Sequence, residues 1–258
     1  MNNILIKVEN LVKTFGGLVA LNDCSLEIKD KAITGIIGPN GSGKTTLFNV
    51  ITGNLKPDKG KVFYNGVEIT NEESHDLFHL GVLRTFQIAH EFSNMTVIEN
   101  LMVVPGNQKG EKLLYSLINS QKIKKEDELI KDKAMEVLKF LKIEHLKNER
   151  AGNLSGGQKK LLELARTMMV DAKIVFLDEV GAGVNKTLLR DISDSILKLN
   201  QDKGYTFCMI EHDFNFISEL CDPVIVLAEG SVLFKGSADD VKSNEQVIES
   251  YLGKGLKK

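Results

Sequence analysis

No run of apolar residues in this chain approaches the ~18 that a membrane span requires. The opening stretch, MNNILIKVEN, has neither the basic start nor the apolar core of a secretory signal. Membrane association is therefore expected only through a partner. Cysteine is sparse: Cys24, Cys208 and Cys221 are odd in number, far apart and in no C-x-x-C pair. That argues against a disulfide framework or a zinc site and reads as reduced thiols in a cytosolic protein. Excess charge is missing too, since 33 basic and 35 acidic residues leave a net charge of −2 with no basic block. No nucleic-acid partner is expected from such a balance. Apolar residues, by contrast, make up 42% of the 258. They can build a sizeable core, best matched to one elaborated domain over residues 1–258.

Directly after the apolar run Ala32 to Ile37 comes GPNGSGKTT: Gly38, Pro39, Asn40, Gly41, Ser42, Gly43, Lys44, Thr45 and Thr46. It fits G-x-x-x-x-G-K-[ST], with a strand-like segment before it and a helix-like segment, Thr45 to Thr52, behind it. Gly38, Gly41 and Gly43 let backbone N–H groups turn inward and approach a phosphate closely. Lys44 supplies a point charge for the β/γ-phosphates, the Thr45 hydroxyl reaches a Mg²⁺, and the helix start favours the anion.

Ile4 to Val8 and Cys24 to Ile28 alternate as strands of a half-buried sheet. The turn expected between them, Thr14 to Gly17, offers Phe15 either as a stacking platform for a base or as a core aromatic. The first helix stops at Gly53, and Asn65-Gly66 inside KVFYNGVEI marks a hairpin. His75 and His79 have the spacing of two metal ligands but no third ligand nearby, and read as a solvated or packed helix face. In MTVIENLMVV, Thr96 and Glu99 form a capping box, with Val97, Ile98, Leu101 and Met102 on one face. A longer amphipathic helix is expected over Glu126 to Ile143, with Leu129, Ile130, Val137, Leu138 and Leu141 as its apolar positions. The Lys122 to Lys125 patch beside it reads as solvated. Residues from about 88 to 165 thus form a helical subdomain inserted into an α/β core that also carries an antiparallel β layer.

NLSGGQKKLLELARTMM, Asn153 to Met169, starts a helix at the N-cap Ser155 and has an apolar stripe at Leu161, Leu164, Ala165 and Met168. Gly156 and Gly157 are expected to leave this helix start open to a second phosphate group. The strand KIVFLDE then delivers Asp178 and Glu179 at its C-terminal edge, where α/β folds bind ligands. A further strand, Tyr205 to Ile210, ends in Glu211-His212-Asp213. The tail is read as two strands around Glu229-Gly230, followed by one helix near Asp239 to Leu252.

LSGGQ at Leu154 to Gln158, downstream of the phosphate loop and upstream of a strand ending in Asp-Glu, resembles the signature of ATP-binding cassette (ABC) ATPases. The resemblance covers nearly the whole chain and implies a P-loop NTPase core, ATP and Mg as ligands, and ATP hydrolysis. It implies that Lys44 and the loop Gly38 to Thr46 hold the phosphates, that Phe15 stacks on adenine, and that Thr45, Gln87 and Asp178 organise the metal. Glu179 then acts on the attacking water, His212 is the switch histidine, Gly181 to Asn185 is the D-loop, and Ser155, Gly156, Gly157 and Gln158 serve a neighbour's ATP. FGGLVALNDCSLEI, GVLRTFQ, MTVIENLMV, EHDF and YLG together resemble the ATPase subunit of branched-chain amino-acid importers, whose relatives serve urea and amide uptake. That implies membrane permease partners, a second cassette subunit with a heterodimer favoured over a homodimer, an indirect solute-binding protein in the periplasm, and a peripheral location on the cytoplasmic face of the membrane. Gln87 is expected to link the nucleotide to the permease, with His90, Glu91 and Phe92 facing it.

Two residues depart from the family pattern. Val180 stands where Asp-Glu is usually followed by proline, which removes a fixed φ, and Asn185 replaces the aspartate common in the D-loop. The ATPase of lipopolysaccharide export resembles the same subgroup closely, whereas RTFQ and MTVIENL favour the importer. A DNA-repair cassette would carry a long coiled coil between loop and signature, yet only about 110 residues separate Lys44 from Ser155. A translation-type cassette protein would have two cassettes in one chain. A GTPase would need N-K-x-D, and Asn185-Lys186-Thr187-Leu188 lacks the final Asp.

Overall fold

The structure, a computed structural model, describes residues 3–85, 91–106, 108, 110 and 120–252. The chain divides into two compact units. One comprises Met1–Gln87, Lys173–Gly181 and Leu197–Lys258, and the other Ile88–Ala172 and Ala182–Ile196.

The first unit holds two sheets. In the antiparallel one, β1 (Ile4–Phe15) pairs with β2 (Leu18–Lys29) and with β4 (Lys59–Tyr64), and β5 (Val67–Glu68) closes the order β2-β1-β4-β5. Both long strands exceed the short segments expected from alternation. Irregularities in register, with Asn10 and Asp23 at positive φ, interrupt the period-two pattern without ending the pairing. Phe15 still pairs with Leu18, so the expected Thr14 to Gly17 turn contracts to Gly16 and Gly17. Asn65 and Gly66 both take positive φ, as their hairpin requires.

The second sheet has the order β10-β9-β3-β8-β7-β6. Its parallel members β3 (Ile33–Ile37), β7 (Ile174–Asp178) and β8 (Thr206–Ile210) are buried along their full lengths, which is why they read as unbroken apolar runs. Short β6 (Val82–Arg84) lies beside β7, and β9 (Val224–Ala228) beside β3, with β10 (Ser231–Gly236) antiparallel at the edge. Helix α1 (Lys44–Ile51) sends Leu47, Phe48, Val50 and Ile51 into a single core with residues of both sheets. Phe48 meets Phe176 edge to face at 5.0 Å between ring centroids. Gly53, at φ +71, then ends the helix, its own N–H bonding Val50 and that of Asn54 bonding Asn49. In α2 (Ser74–His79) the His75 and His79 rings are neighbours, and both are exposed. No group of three or more His, Cys, Asp or Glu is poised to hold a metal among the described residues.

The second unit is helical. Its α3 (Val97–Met102) starts with the expected Thr96–Glu99 capping box. It buries Val97, Leu101 and Asn100, while Ile98 and Met102 are only half-buried. Next, α4 (Ser120–Phe140) begins earlier than expected and stops before Ile143. Lys142 at φ +59 lets its own N–H bond Lys139 and that of Ile143 bond Leu138, which ends the helix. Leu129 is not a core position, being 71% exposed. The buried stripe is confined to the C-terminal turns, at Ala134, Val137 and Leu138. Helix α5 (Gly156–Met168) follows, and the unit includes the start of α6 (Lys186–Lys203).

Back in the first unit, α7 (Phe214–Leu220) precedes the last two strands. The single final helix expected is two, α8 (Ala238–Ser243) and α9 (Glu245–Leu252). Asn244 breaks the run with an extended ψ of 117 and caps the second helix by accepting from the Val247 N–H. No helix among the described residues is long and apolar enough to cross a membrane.

Candidate nucleotide site

The loop between β3 and α1 can be built only with glycine at two of its positions. A Cβ on Gly38 would lie 2.2 Å from the Leu227 carbonyl oxygen, and one on Gly43, at φ +98, would lie 2.4 Å from that of Ala20. Gly43 is also the N-cap of α1, which has neither a side-chain cap bond nor an acidic residue in its first turn. The N–H groups of the first turn therefore have no anion supplied by the helix itself. Lys44 is 6% exposed and donates to the carbonyls of Gly38 (2.8 Å) and Pro39 (3.0 Å). Burial pulls its ammonium below the ordinary lysine value, against the opposing fields of Glu179 and Asp178. The Ser42 hydroxyl is buried without a hydrogen-bond partner. An orphaned buried donor beside bare helix N–H groups fits a phosphate.

These atoms open onto a cleft of about 300 Å³ lined by Asn40, Gly41, Ser42, Gly43, Lys44, Thr45, Thr46, Glu179, His212 and Phe15. Sequence reasoning named all ten, and the fold gathers them from four separate stretches. Leu18 and Ala20 also line it and were not anticipated. Phe15 is 48% exposed, so of its two readings the core aromatic is excluded.

Asp178 and Glu179 sit at the end of β7 in different circumstances. Asp178 is 2% exposed and forms an ion pair at 2.8 Å with Arg84 at the end of β6. Glu179 follows the strand at φ +50, with its backbone N–H bonded to Ile210 O and its Oε1 3.0 Å from His212 Nε2. Beneath this corner lies Glu211, 5% exposed, which accepts from the Gly181 N–H at 2.8 Å. Burial pushes its carboxyl above the ordinary value, with Glu179 adding to the rise and the N–H groups of Gly181, Val180 and His212 opposing it. Besides Leu18 and Ala20, sequence reasoning gave no role to the two charged residues Arg84 and Glu211. A lone charged residue at a strand end carries no periodic signal. A hydroxyl and one carboxylate, on Thr45 and Asp178, are the sparse oxygen set that Mg²⁺ takes alongside phosphate oxygens.

The signature segment belongs to the second unit. Ser155 and Gln158 form a reciprocal capping box at the start of α5. Gly156 is exposed with open space at its α-carbon. Gly157 departs from the expected open pair: it is buried, and a Cβ there would meet Leu188 at 2.3 Å. Asn185, the D-loop departure, caps α6 by accepting from the Leu188 N–H at 2.9 Å. Gln87 and His90 lie outside the described residues.

A phosphate loop, a carboxylate-ended parallel strand and a histidine just beyond the end of the neighbouring strand define a P-loop ATPase site. The ABC transporter family model matches residues 21–182, and the chain belongs to this family of ATP-binding, ATP-hydrolysing cassettes. It is 42% identical over 249 residues to the probable branched-chain amino acid transport ATP-binding protein LivG of Archaeoglobus fulgidus, covering 96% of this chain and 95% of that one. The crystal structure of a nucleotide-free ATP-binding cassette from an ABC transporter superposes with a TM-score of 0.84 at 41% identity, covering 97% and 99% of the two chains. A dimeric cassette in a post-hydrolysis state with ADP and Pi superposes at 0.74, with 25% identity and coverage of 91% and 99%.

Proposed function

We propose that the chain powers the import of branched-chain amino acids, as the ATP-hydrolysing subunit that works through membrane permeases and receives solute from a periplasmic binding protein. The carrying observation is the cleft that unites the phosphate loop with Glu179 and His212. In this reading the 258 residues act as one cassette domain on the cytoplasmic face of the membrane. Lys44 and the loop amides bind the phosphates, and Phe15 stacks on adenine. Mg²⁺, held by Thr45 and Asp178 with Gln87, would neutralise charge on the phosphate oxygens. Glu179 orients the attacking water and withdraws its proton, while His212 holds the Glu179 carboxylate and contacts the γ-phosphate. Positioning and charge stabilisation supply most of such a phosphoryl transfer, so pre-set geometry in a folded cleft is the protein's main contribution.

The working unit is a head-to-tail pair of cassettes, with a related subunit favoured over a second copy. One chain carries two helix starts suited to phosphate, at Gly43 and at Ser155. In the pair, Ser155, Gly156, Gly157 and Gln158 complete the neighbour's site. The Archaeoglobus relative's name supports the solute class. The test is to purify the complex through this subunit and identify what accompanies it. Permeases and a binding protein for aliphatic amino acids are expected. Recovery of urea or lipopolysaccharide-export components would overturn the solute assignment and leave the ATPase chemistry standing.

A further inference from the structure

Arg84 ties together the two elements that carry the metal-holding oxygens. Its Nη2 reaches Asp178 Oδ2 at 2.8 Å, and its Nη1 donates to the Asn49 side-chain oxygen. The guanidinium carbon stands 5.8 Å from the centroid of the Phe48 ring. The Arg84 and Asp178 side chains are only 7% and 3% exposed. Asn49 and Phe48 lie on α1, one turn after Thr45, whereas Asp178 ends β7. One planar fork therefore joins the Thr45 helix to the Asp178 strand, a geometry that a flexible ammonium cannot reproduce.

We propose that Arg84 is a positioning residue for the metal–nucleotide complex, a strut that fixes the Asp178 carboxylate relative to Thr45. The proposal rests on the Mg²⁺-nucleotide reading of the site. Two effects of the arginine oppose each other. Its charge partly neutralises Asp178, which weakens attraction for any divalent cation, while its fork orients the carboxylate. Mg²⁺ demands near-ideal octahedral geometry, and Ca²⁺ tolerates irregular coordination. An orienting role therefore shows as a Mg²⁺-selective loss when the fork is removed. A purely electrostatic role shows as tighter binding of both ions.

The experiment measures binding of a fluorescent ADP analogue to the purified chain in EDTA and across titrations of Mg²⁺ and Ca²⁺. For Arg84→Gln the half-saturating Mg²⁺ concentration is expected to rise ~10-fold or more, the usual effect of losing a partner of a metal ligand. Ca²⁺ dependence and affinity in EDTA should change far less. Arg84→Lys should follow Arg84→Gln, since charge without the fork does not orient. Asn49→Ala cuts the other end of the strut without leaving Asp178 unpaired, and should show the same selectivity in weaker form even if the Arg84 variants fold poorly. Unchanged or tighter Mg²⁺ dependence, parallel shifts for Mg²⁺ and Ca²⁺, or an equal loss in EDTA would overturn the strut. A wild-type chain that binds nucleotide without any divalent effect would instead remove the Mg²⁺ reading on which it stands.

Discussion

His212 Nε2 stands 3.0 Å from Glu179 Oε1, so residues from the ends of two adjacent parallel strands meet as one hydrogen-bonded unit. Glu179 holds a left-handed backbone at φ +50, a conformation that costs a non-glycine residue of order 1 kcal/mol. Replacing it by glutamine should keep nucleotide binding and reduce hydrolysis by roughly 10²–10⁴. Phosphate release from a reconstituted transporter measures this, and a wild-type rate in Glu179→Gln would end its assignment as the base.

Phe15 offers a half-exposed ring at the mouth of the cleft. Stacking of a base on an aromatic contributes ~1–3 kcal/mol, so Phe15→Ala should weaken ATP and ADP alike by roughly 5- to 150-fold. Its effect on thermal unfolding should be small because little buried contact is lost. Calorimetric titration with ADP and with inorganic pyrophosphate separates the cases, since only the ligand carrying adenine should suffer.

Neighbouring glycines at the start of α5 should respond differently to the same change. Gly156 is open, and Gly156→Asp should leave folding intact while setting a carboxylate against the neighbour's phosphate, so that ATP-dependent dimers fail. Gly157→Asp collides with Leu188 and should destabilise the helical unit itself, by ~1–3 kcal/mol as overpacking does. Light scattering in a Glu179→Gln background, with the chain alone and with its co-purified partner cassette, beside thermal unfolding of each variant, distinguishes a lost interface from a lost fold.

Glu211 is a buried acid whose folded pKa is raised. The folded state therefore holds its proton more tightly than the unfolded chain. Its contribution to stability is fully favourable below the ordinary carboxylate value and declines as pH rises towards the raised one. Glu211→Gln keeps an oxygen for the Gly181 N–H and removes the titration. Its unfolding free energy should depend less on pH across that window than the wild type's, as measured by urea denaturation at a series of pH values.

Phe92 is 51% exposed, lies 5.6 Å from the Arg166 guanidinium, and has its backbone N–H and C=O both bonded to the buried Asn100 side chain. Glu91 beside it pairs with Lys159 at 2.7 Å. In the proposed complex, Phe92→Ala should leave the isolated chain's ATPase activity within about twofold, as surface changes do, and depress transport. Equal losses in both assays would argue against a coupling role.

The phosphate loop, the capping box at Thr96, the N-cap at Ser155, and the apolar strands β3, β7 and β8 were legible because each rests on a short-range pattern with one physical cause. Strand lengths in the antiparallel sheet were not, since bulges near Asn10 and Asp23 reset the alternation that would reveal them. Leu129 has helical spacing yet faces solvent, because periodicity marks a face of a helix but not how far packing extends along it. Asn100 was overlooked for a related reason: its four hydrogen bonds to loop backbone atoms depend on a fold that brings Phe92, Met95 and Thr96 around it. Arg84 and Glu211 fall in the same class, buried charges whose meaning lies entirely in their neighbours.

The cap that Asn185 places on α6 makes the exchange of aspartate for asparagine a separable one. The two residues cap helices about equally well, so Asn185→Asp should leave the start of α6 mechanically the same and add one unit of negative charge. Any change in catalysis or in communication between cassettes that follows the exchange, in either direction, can then be assigned to the side chain's charge and its lost amide donor, and not to a lost cap. Position 185 becomes a dial for charge in a loop whose shape does not move with it.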